Sequence, residues 1–158
     1  MNCYKSLIPA ISVFSAVSPA TAKARSQATI MIDAPVEKVW GLVVDIDRWP
    51  RWNKSVETAH LKGAVAKGSV FDWRSGGFGI RSTFKDVVPM ERLSWTGQTL
   101  GTSAMHFWEF TITEKGAVVT TAETFDGWLP SLMPRTMQKK LDDTLPALLA
   151  SLKVAAED

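Results

Sequence analysis

The chain has 158 residues, enough for one domain, with 18 Lys and Arg against 16 Asp and Glu and a net charge of +2. That near-balance, with no basic run, no zinc-finger spacing and no RNA-binding signature, argues against a nucleic-acid partner. Its one cysteine, Cys3, offers no disulfide framework, so a core of ordinary apolar packing must hold the fold.

The first stretch reads as a leader. Lys5 supplies a positive start, "SLIPAISVFSAV" a short apolar core, and "ATAKA" small residues for a cut after Ala24, or alternatively after Ala20 or Ala22. The apolar run is well short of the roughly 20 residues a membrane span requires, and Pro9 and Pro19 oppose one long helix. A leader over residues 1–24 implies an exported protein, periplasmic or secreted, and a mature domain over 25–158. Cleavage after Ala24 would remove Lys5, Lys23 and Cys3, leaving 16 basic and 16 acidic residues.

"QATIMIDA" alternates apolar and polar residues as a strand does. The period then changes: Val36, Val39, Trp40 and Val43 fall on one helical face, with Pro35 and Glu37 suited to the first turn. The helix should stop near Asp45, and Asp47 should cap a further short turn carrying Trp49 and Trp52. From Ser55 onward the period is close to two. Strands are expected over 56–61, 69–75, 78–88, 92–98, 104–113 and 117–125. The turn signals "KGAVAKG", "SGG", "VPMER", "TLGTS" and "EKGA" separate them, which implies an antiparallel meander. Finally Met137, Leu141, Leu145, Leu148, Leu152 and Ala155 mark one apolar face of a long helix, with Pro146 inside it, where it should remove one backbone hydrogen bond and kink the rod. The class is α+β, and that helix is the natural cover for the sheet.

"IDAPVEKVWGLVVDIDRWPRWN" resembles the opening of the polyketide cyclase/dehydrase and lipid-transport family, within the START-like (SRPBCC) superfamily. The matching positions are Ile32, Ala34, Pro35, Val39, Trp40, Asp45, Trp49, Pro50, Trp52 and Asn53. "LSWTGQTLGTSAMHFWEF", "TTAETFDGWLP" and "LDDTLPALLASLK" extend the resemblance across residues 27–156. It implies a helix-grip fold, in which a curved antiparallel sheet wraps a long C-terminal helix around a cavity. Trp40, Trp49 and Trp52 would plug one end, with Trp40 and Trp52 as core and Trp49 nearer the mouth. The superfamily includes carriers, ligand sensors, cyclases and chaperone regulators, so the fold does not dictate an activity.

Strand alternation assigns the cavity face. It collects Phe71, Trp73, Phe78, Ile80, Ser82, Phe84, Leu93, Trp95, His106, Trp108, Phe110, Ile112, Val119, Thr121, Glu123 and Phe125. A tight "EKGA" turn would set Trp108 beside Glu123 and His106 beside Phe125. The expected ligand contacts are Trp49, Phe71, Trp73, Phe84, Trp95, Trp108, Phe110 and Thr121, around a small hydrophobic ligand such as a lipid or polyketide-like aromatic. His106 and Glu123 are the ionisable residues of this face. They are either a polar pair that fixes packing, or groups that orient a ligand or exchange a proton with it, as in a cyclase or dehydratase. A third reading is a protein-interaction module whose cavity its own tryptophans fill.

No cofactor motif is present. "SGGFG" lacks a phosphate-loop lysine, His60 and His106 offer no metal-ligand spacing, and Ser94 and Ser103 lack a nucleophile elbow. Asp72, Arg74 and Arg81 belong to the opposite sheet face as ion pairs, and His60 lies near a strand end in solvent. Trp128, Leu129, Leu132 and Met133, followed by Arg135, Lys139 and Lys140, form either a helix entrance packed in the ordinary way, a cavity lid, or an edge suited to transient contact with an anionic membrane.

Overall fold

The computed structural model describes residues 22–158; the anticipated leader lies, but for its last three residues, outside the described residues. The elements run β1 (Ala24–Ile32), α1 (Val36–Val44), a single 3₁₀ turn (Ile46–Arg48), α2 (Trp49–Trp52), β2 (Val56–Lys62), β3 (Val70–Ser75), β4 (Phe78–Val88), β5 (Arg92–Thr99), β6 (Thr102–Thr113), β7 (Gly116–Asp126), α3 (Trp128–Leu132) and α4 (Pro134–Glu157). The seven strands form one antiparallel sheet in the order β1-β7-β6-β5-β4-β3-β2. Six of them follow as a meander because their connections are too short for any other pairing. The first strand closes onto the last. Register shifts between Val56 and Thr58 and between Phe84 and Asp86 interrupt two ladders, and such irregularities bend a sheet.

α4 lies over β1 and β7, with α1 and α2 beside it. This is the helix-grip arrangement expected from the sequence. α4 runs unbroken through Pro146, which is exposed. Its buried stripe is Leu141, Leu145, Leu149, Leu152 and Ala156. The expected stripe through Leu148 and Ala155 is therefore rotated by about one residue: Leu148 is half-buried and packs on the rim of the core. Both stripes fit the 3.6-residue turn, and it is the way α4 docks on the sheet that puts Leu149 rather than Leu148 inside.

Alternation held along most strands, and broke at their ends. Phe71 and Phe84 are fully buried, whereas Phe78 and Ile112, assigned to the same face, are 53% and 69% exposed. Both lie at strand ends, at the β3–β4 and β6–β7 hairpins, where no helix covers them. The β6–β7 register also differs from expectation. The turn is Glu114-Lys115, closing Thr113 on Gly116, so His106 pairs with Glu123, Trp108 with Thr121 and Ala104 with Phe125. Gly116 has φ of 136°, and a Cβ there would lie 2.2 Å from the Ile32 carbonyl. Only glycine lets the end of β1 approach so closely, and this sets the turn one residue earlier than "EKGA" suggests.

Asp47 does not cap the short turn. Its carboxylate instead accepts hydrogen bonds from His60 Nδ1 at 2.8 Å and from the Leu61 amide at 3.1 Å, clamping the turn to β2. The His60 bond chiefly holds the Asp47 carboxyl below its ordinary range. His60 is exposed as anticipated but sits within β2. The outer face carries the expected ion pairs, Asp72 with Arg81 at 2.9 Å and with Lys62 at 2.7 Å, and Glu57 with Arg74 at 3.7 Å. Ala24 is 3% exposed and pairs with Phe125, so a domain boundary after Ala24 would fall inside β1.

Candidate functional site

The two tryptophans of "DIDRWPRWN" both line the cavity described below, as expected of Trp49, but their burial is the reverse of that anticipated, and Trp40 upstream is likewise less buried than Trp49. Trp49 is 5% exposed, while Trp40 and Trp52 are half-buried. Trp49 ends the 3₁₀ turn with its ring turned inward, and its Nε1 donates to the Val43 carbonyl at 2.9 Å. That bond satisfies the indole, so the whole ring can serve as core. It meets Phe71 and Trp73 edge-on at 5.6 and 5.7 Å and lies tilted against Trp95 at 5.6 Å. Pro50, in the first turn of α2, is where a missing amide costs least.

Beside Trp49 lies a cavity of about 40 Å³, lined by Val43, Trp49, Trp52, Asn53, Val56, Trp73, Trp95, His106, Trp108 and Leu148. Four of the eight expected ligand contacts are on this wall: Trp49, Trp73, Trp95 and Trp108. Phe71, Phe84, Phe110 and Thr121 are instead buried in the layer around it. Trp52, Asn53, Val43, Val56 and Leu148 were not anticipated as lining. For Trp52 and Asn53 the signal was the quoted stretch itself; for Leu148 it was its place at the edge of the helical stripe.

His106 and Trp108 alternate on β6, and their rings are parallel within 5° at 5.4 Å. Trp95, from the neighbouring strand, lies 4.8 Å from His106. Trp73 Nε1 donates to the buried Ser82 hydroxyl at 3.1 Å. The indole N–H groups of Trp52 and Trp108 are buried without a hydrogen-bond partner among the described residues. A buried donor left unpaired costs about 1–3 kcal/mol.

His106 and Glu123 face each other across β6 and β7, with Nδ1 3.7 Å from Oε1. The Thr121 hydroxyl donates to the Phe107 carbonyl at 3.0 Å and lies 2.7 Å from His106 Nε2. With the hydroxyl proton committed to the carbonyl, His106 Nε2 must carry hydrogen and donate, which leaves the lone pair on Nδ1, towards Glu123. Burial pushes His106 down to about 3. Burial also pushes Glu123 up to about 8, against a small opposing pull from Lys140. At neutral pH the pair is thus an uncharged imidazole beside a protonated carboxyl, one short movement from a hydrogen bond. Among the described residues no cluster of His, Cys, Asp and Glu could hold a metal ion.

The family described as polyketide cyclase/dehydrase and lipid transport matches residues 23–157. Among solved structures, a START superfamily protein from Mycobacterium smegmatis superposes with a TM-score of 0.72 at 14% identity, covering 84% of this chain and 97% of that one. A hypothetical protein from Helicobacter pylori gives 0.70 at 16% identity, covering 84% and 86%. The di-domain ARO/CYC protein StfQ of the steffimycin biosynthetic pathway gives 0.69 at 19% identity, covering 85% of this chain and 49% of that one. At these identities the likeness is one of fold. No curated protein matches the sequence significantly.

Proposed function

The chain belongs to the polyketide cyclase/dehydrase and lipid transport family, and from that premise we propose that it binds a small hydrophobic molecule in the aromatic space between sheet and α4. The observation that carries this reading is the cavity walled by five tryptophans and His106. Binding sites for small molecules are concave, apolar and equipped with a few placed polar groups. At about 40 Å³ the cavity holds no more than water-sized contents. Binding therefore requires Trp52 and Leu148, both half-buried at its rim, to give way. Native mass spectrometry of protein recovered from its host, with extracted ligands identified, tests the reading. If neither bound molecules nor a response to a panel of lipids and aromatic polyketides is found, the interaction module with a filled interior is the better account.

A second reading is supported by the His106–Glu123 pair. Two titratable groups whose environments push their proton affinities apart are what acid–base catalysis uses, here a carboxylic acid donor and an imidazole acceptor. Glu123→Gln keeps the shape and removes the acid. A carrier keeps its affinity in that variant; an enzyme keeps affinity and loses turnover by roughly 10²–10⁴-fold.

Two subsidiary proposals concern where the protein acts. We propose export, on the leader-like pattern of the first residues; the burial of Ala24 at the start of β1 and the Lys23 amide donating to the Phe125 carbonyl at 2.9 Å favour a cut after Ala20 or Ala22 over one after Ala24. N-terminal sequencing of protein from the cell envelope decides it; an intact Met1 refutes export. We also propose transient membrane contact through α3. Trp128, Leu132 and Met133 are exposed there, joined by Leu100 of the β5–β6 turn, with Arg135 beside them. Trp128 packs on Gly101, where a Cβ would lie 2.4 Å from the indole.

A further inference from the structure

Two spaces meet at one side chain. Trp52 lines the cavity of about 40 Å³, and it also lines an open groove of about 430 Å³ between α1 and α2. Its ring stands between them. The other walls of the cavity are fastened. Trp73, Trp95, His106 and Trp108 belong to paired strands of the sheet. Trp49 is anchored on the Val43 carbonyl, and Asp47 ties its turn to β2. α4 is bonded to the free edge of β1 at both ends. The Gln138 side chain donates to the Arg25 carbonyl at 2.8 Å and accepts from the Arg25 amide at 3.1 Å, and Ser26 donates to Asp142 at 2.6 Å. Further along, Lys153 donates to the Met31 carbonyl at 2.8 Å, and Glu157 accepts from the Asp33 amide at 2.7 Å.

Residues 50–55 have no such attachment. Among the described residues, their side chains make no hydrogen bond or ion pair outside the segment; Asn53 accepts only from Ser55, and Arg51 and Lys54 are exposed. Trp49 meets three rings, whereas Trp52 meets none among the described residues, and its buried N–H has no acceptor. Turning that ring outward breaks no hydrogen bond and lets water reach the donor. The groove has room to receive it. Gly41 sits inside α1, where glycine destabilises a helix relative to alanine. A Cβ there would meet nothing within 4 Å beyond the backbone of its own helix. Neither a turn nor a close neighbour accounts for this glycine; a ring laid over it does. Resting on the ligand reading above, we infer that residues 50–55 are the door of this site: Trp52 swings from the cavity wall into the groove over Gly41 and joins the two spaces, while the sheet and α4 stay in place. The buried Trp49 and Val56 are its fixed ends.

Backbone amide exchange in the ligand-free protein and stopped-flow uptake of the fluorophore N-phenyl-1-naphthylamine test this. The Asn53 amide donates to the Trp49 carbonyl at 2.8 Å. It should exchange by local opening, roughly a hundredfold or more faster than the amides of the β6–β7 ladder. Gly41→Leu fills the groove, so the open state is overpacked, and both Asn53 exchange and dye uptake should slow by roughly tenfold. Gly41→Ala strengthens α1 as well but leaves the groove empty, and should slow neither. Trp52→Ala removes the door and should speed uptake by a factor like that lost in Gly41→Leu. Asn53 exchange as slow as the ladder, a folded Gly41→Leu protein with both rates unchanged, or equal slowing by alanine and leucine overturns the door; dye that still enters leaves the ligand reading intact. A protein that takes up no dye counts against the ligand reading, and Asn53 exchange in the two Gly41 variants then decides the door by itself.

Discussion

Over β1 and β7 the sheet is covered by leucines of α4; over β3 and β5 it is covered by Trp49. The first region buries Leu141, Leu145, Leu149 and Leu152 almost completely. The second is dominated by rings, with Val43, Val56 and Leu148 among them, and rings leave gaps that aliphatic side chains would fill. It therefore contains a cavity, two unpaired indole donors and, at its border with the first, a neutral acid–base pair. The division separates a close-packed region from one that keeps an internal space. A close-packed aliphatic seam holds helix to sheet, and this lets the aromatic half tolerate an internal space and polar groups without a partner among the described residues.

The sharpest way to break that division is to cut one leucine on each side of it. Leu149→Ala should cost about 2–5 kcal/mol, through lost burial and the cavity left behind. Leu148→Ala, one residue along but on the cavity rim, should cost about 1 kcal/mol and speed ligand uptake. Denaturant melts and stopped-flow emission measure the two quantities. Equal losses would mean that the rim is as tightly packed as the seam.

The border pair gives a pH dependence of stability with two limbs. Glu123 has a folded value of about 8 against an ordinary 4.5, so the unfolded chain releases its proton first and the stabilisation fades as pH rises from 4.5 to 8. His106 has a folded value of about 3 against 6.5, so the unfolded chain takes up a proton first and stability fades as pH falls from 6.5 to 3. Between 4.5 and 6.5 the two slopes oppose each other. The contribution of the pair should thus be level in that window, decline above it through Glu123 and below it through His106. Thermal melts of Glu123→Gln should lose the upper decline and retain the lower one. If the variant keeps the upper decline, Glu123 does not titrate as its burial implies.

The exposed apolar edge should contribute least to stability. Leu132→Ser should change it by no more than about 0.5 kcal/mol, yet weaken sedimentation with vesicles rich in anionic lipid. Unaltered sedimentation removes the membrane proposal and leaves the cavity argument untouched.

Much of this division was legible in the residues. Period-two alternation and glycine-bearing turns gave the strands, and the leucine spacing gave the cover helix. The face of β6 and β7 survived an error of register because the pairing slipped by two residues, and an even slip keeps parity. The boundary between seam and rim was not legible: Leu148 and Leu149 are both apolar, and only the docking angle of α4 decides which one is interior. Trp49 and Trp52 were exchanged for a similar reason. Which ring turns inward depends on a 3₁₀ turn and on a bond to the Val43 carbonyl, neither of which has a periodic signature. The pairing state of indole N–H groups is a matter of a few ångströms, beyond any pattern in sequence.

The central proposal, that a small hydrophobic molecule enters the aromatic half, is tested most directly by the indole region of a ¹⁵N–¹H spectrum during titration with a panel of lipids and aromatic polyketides. The indole resonances of the five tryptophans that line the cavity, Trp49, Trp52, Trp73, Trp95 and Trp108, should shift on binding, while that of the exposed Trp128 should move little. A titration that leaves all five in place, or that shifts only the exposed Trp128, would contradict the account.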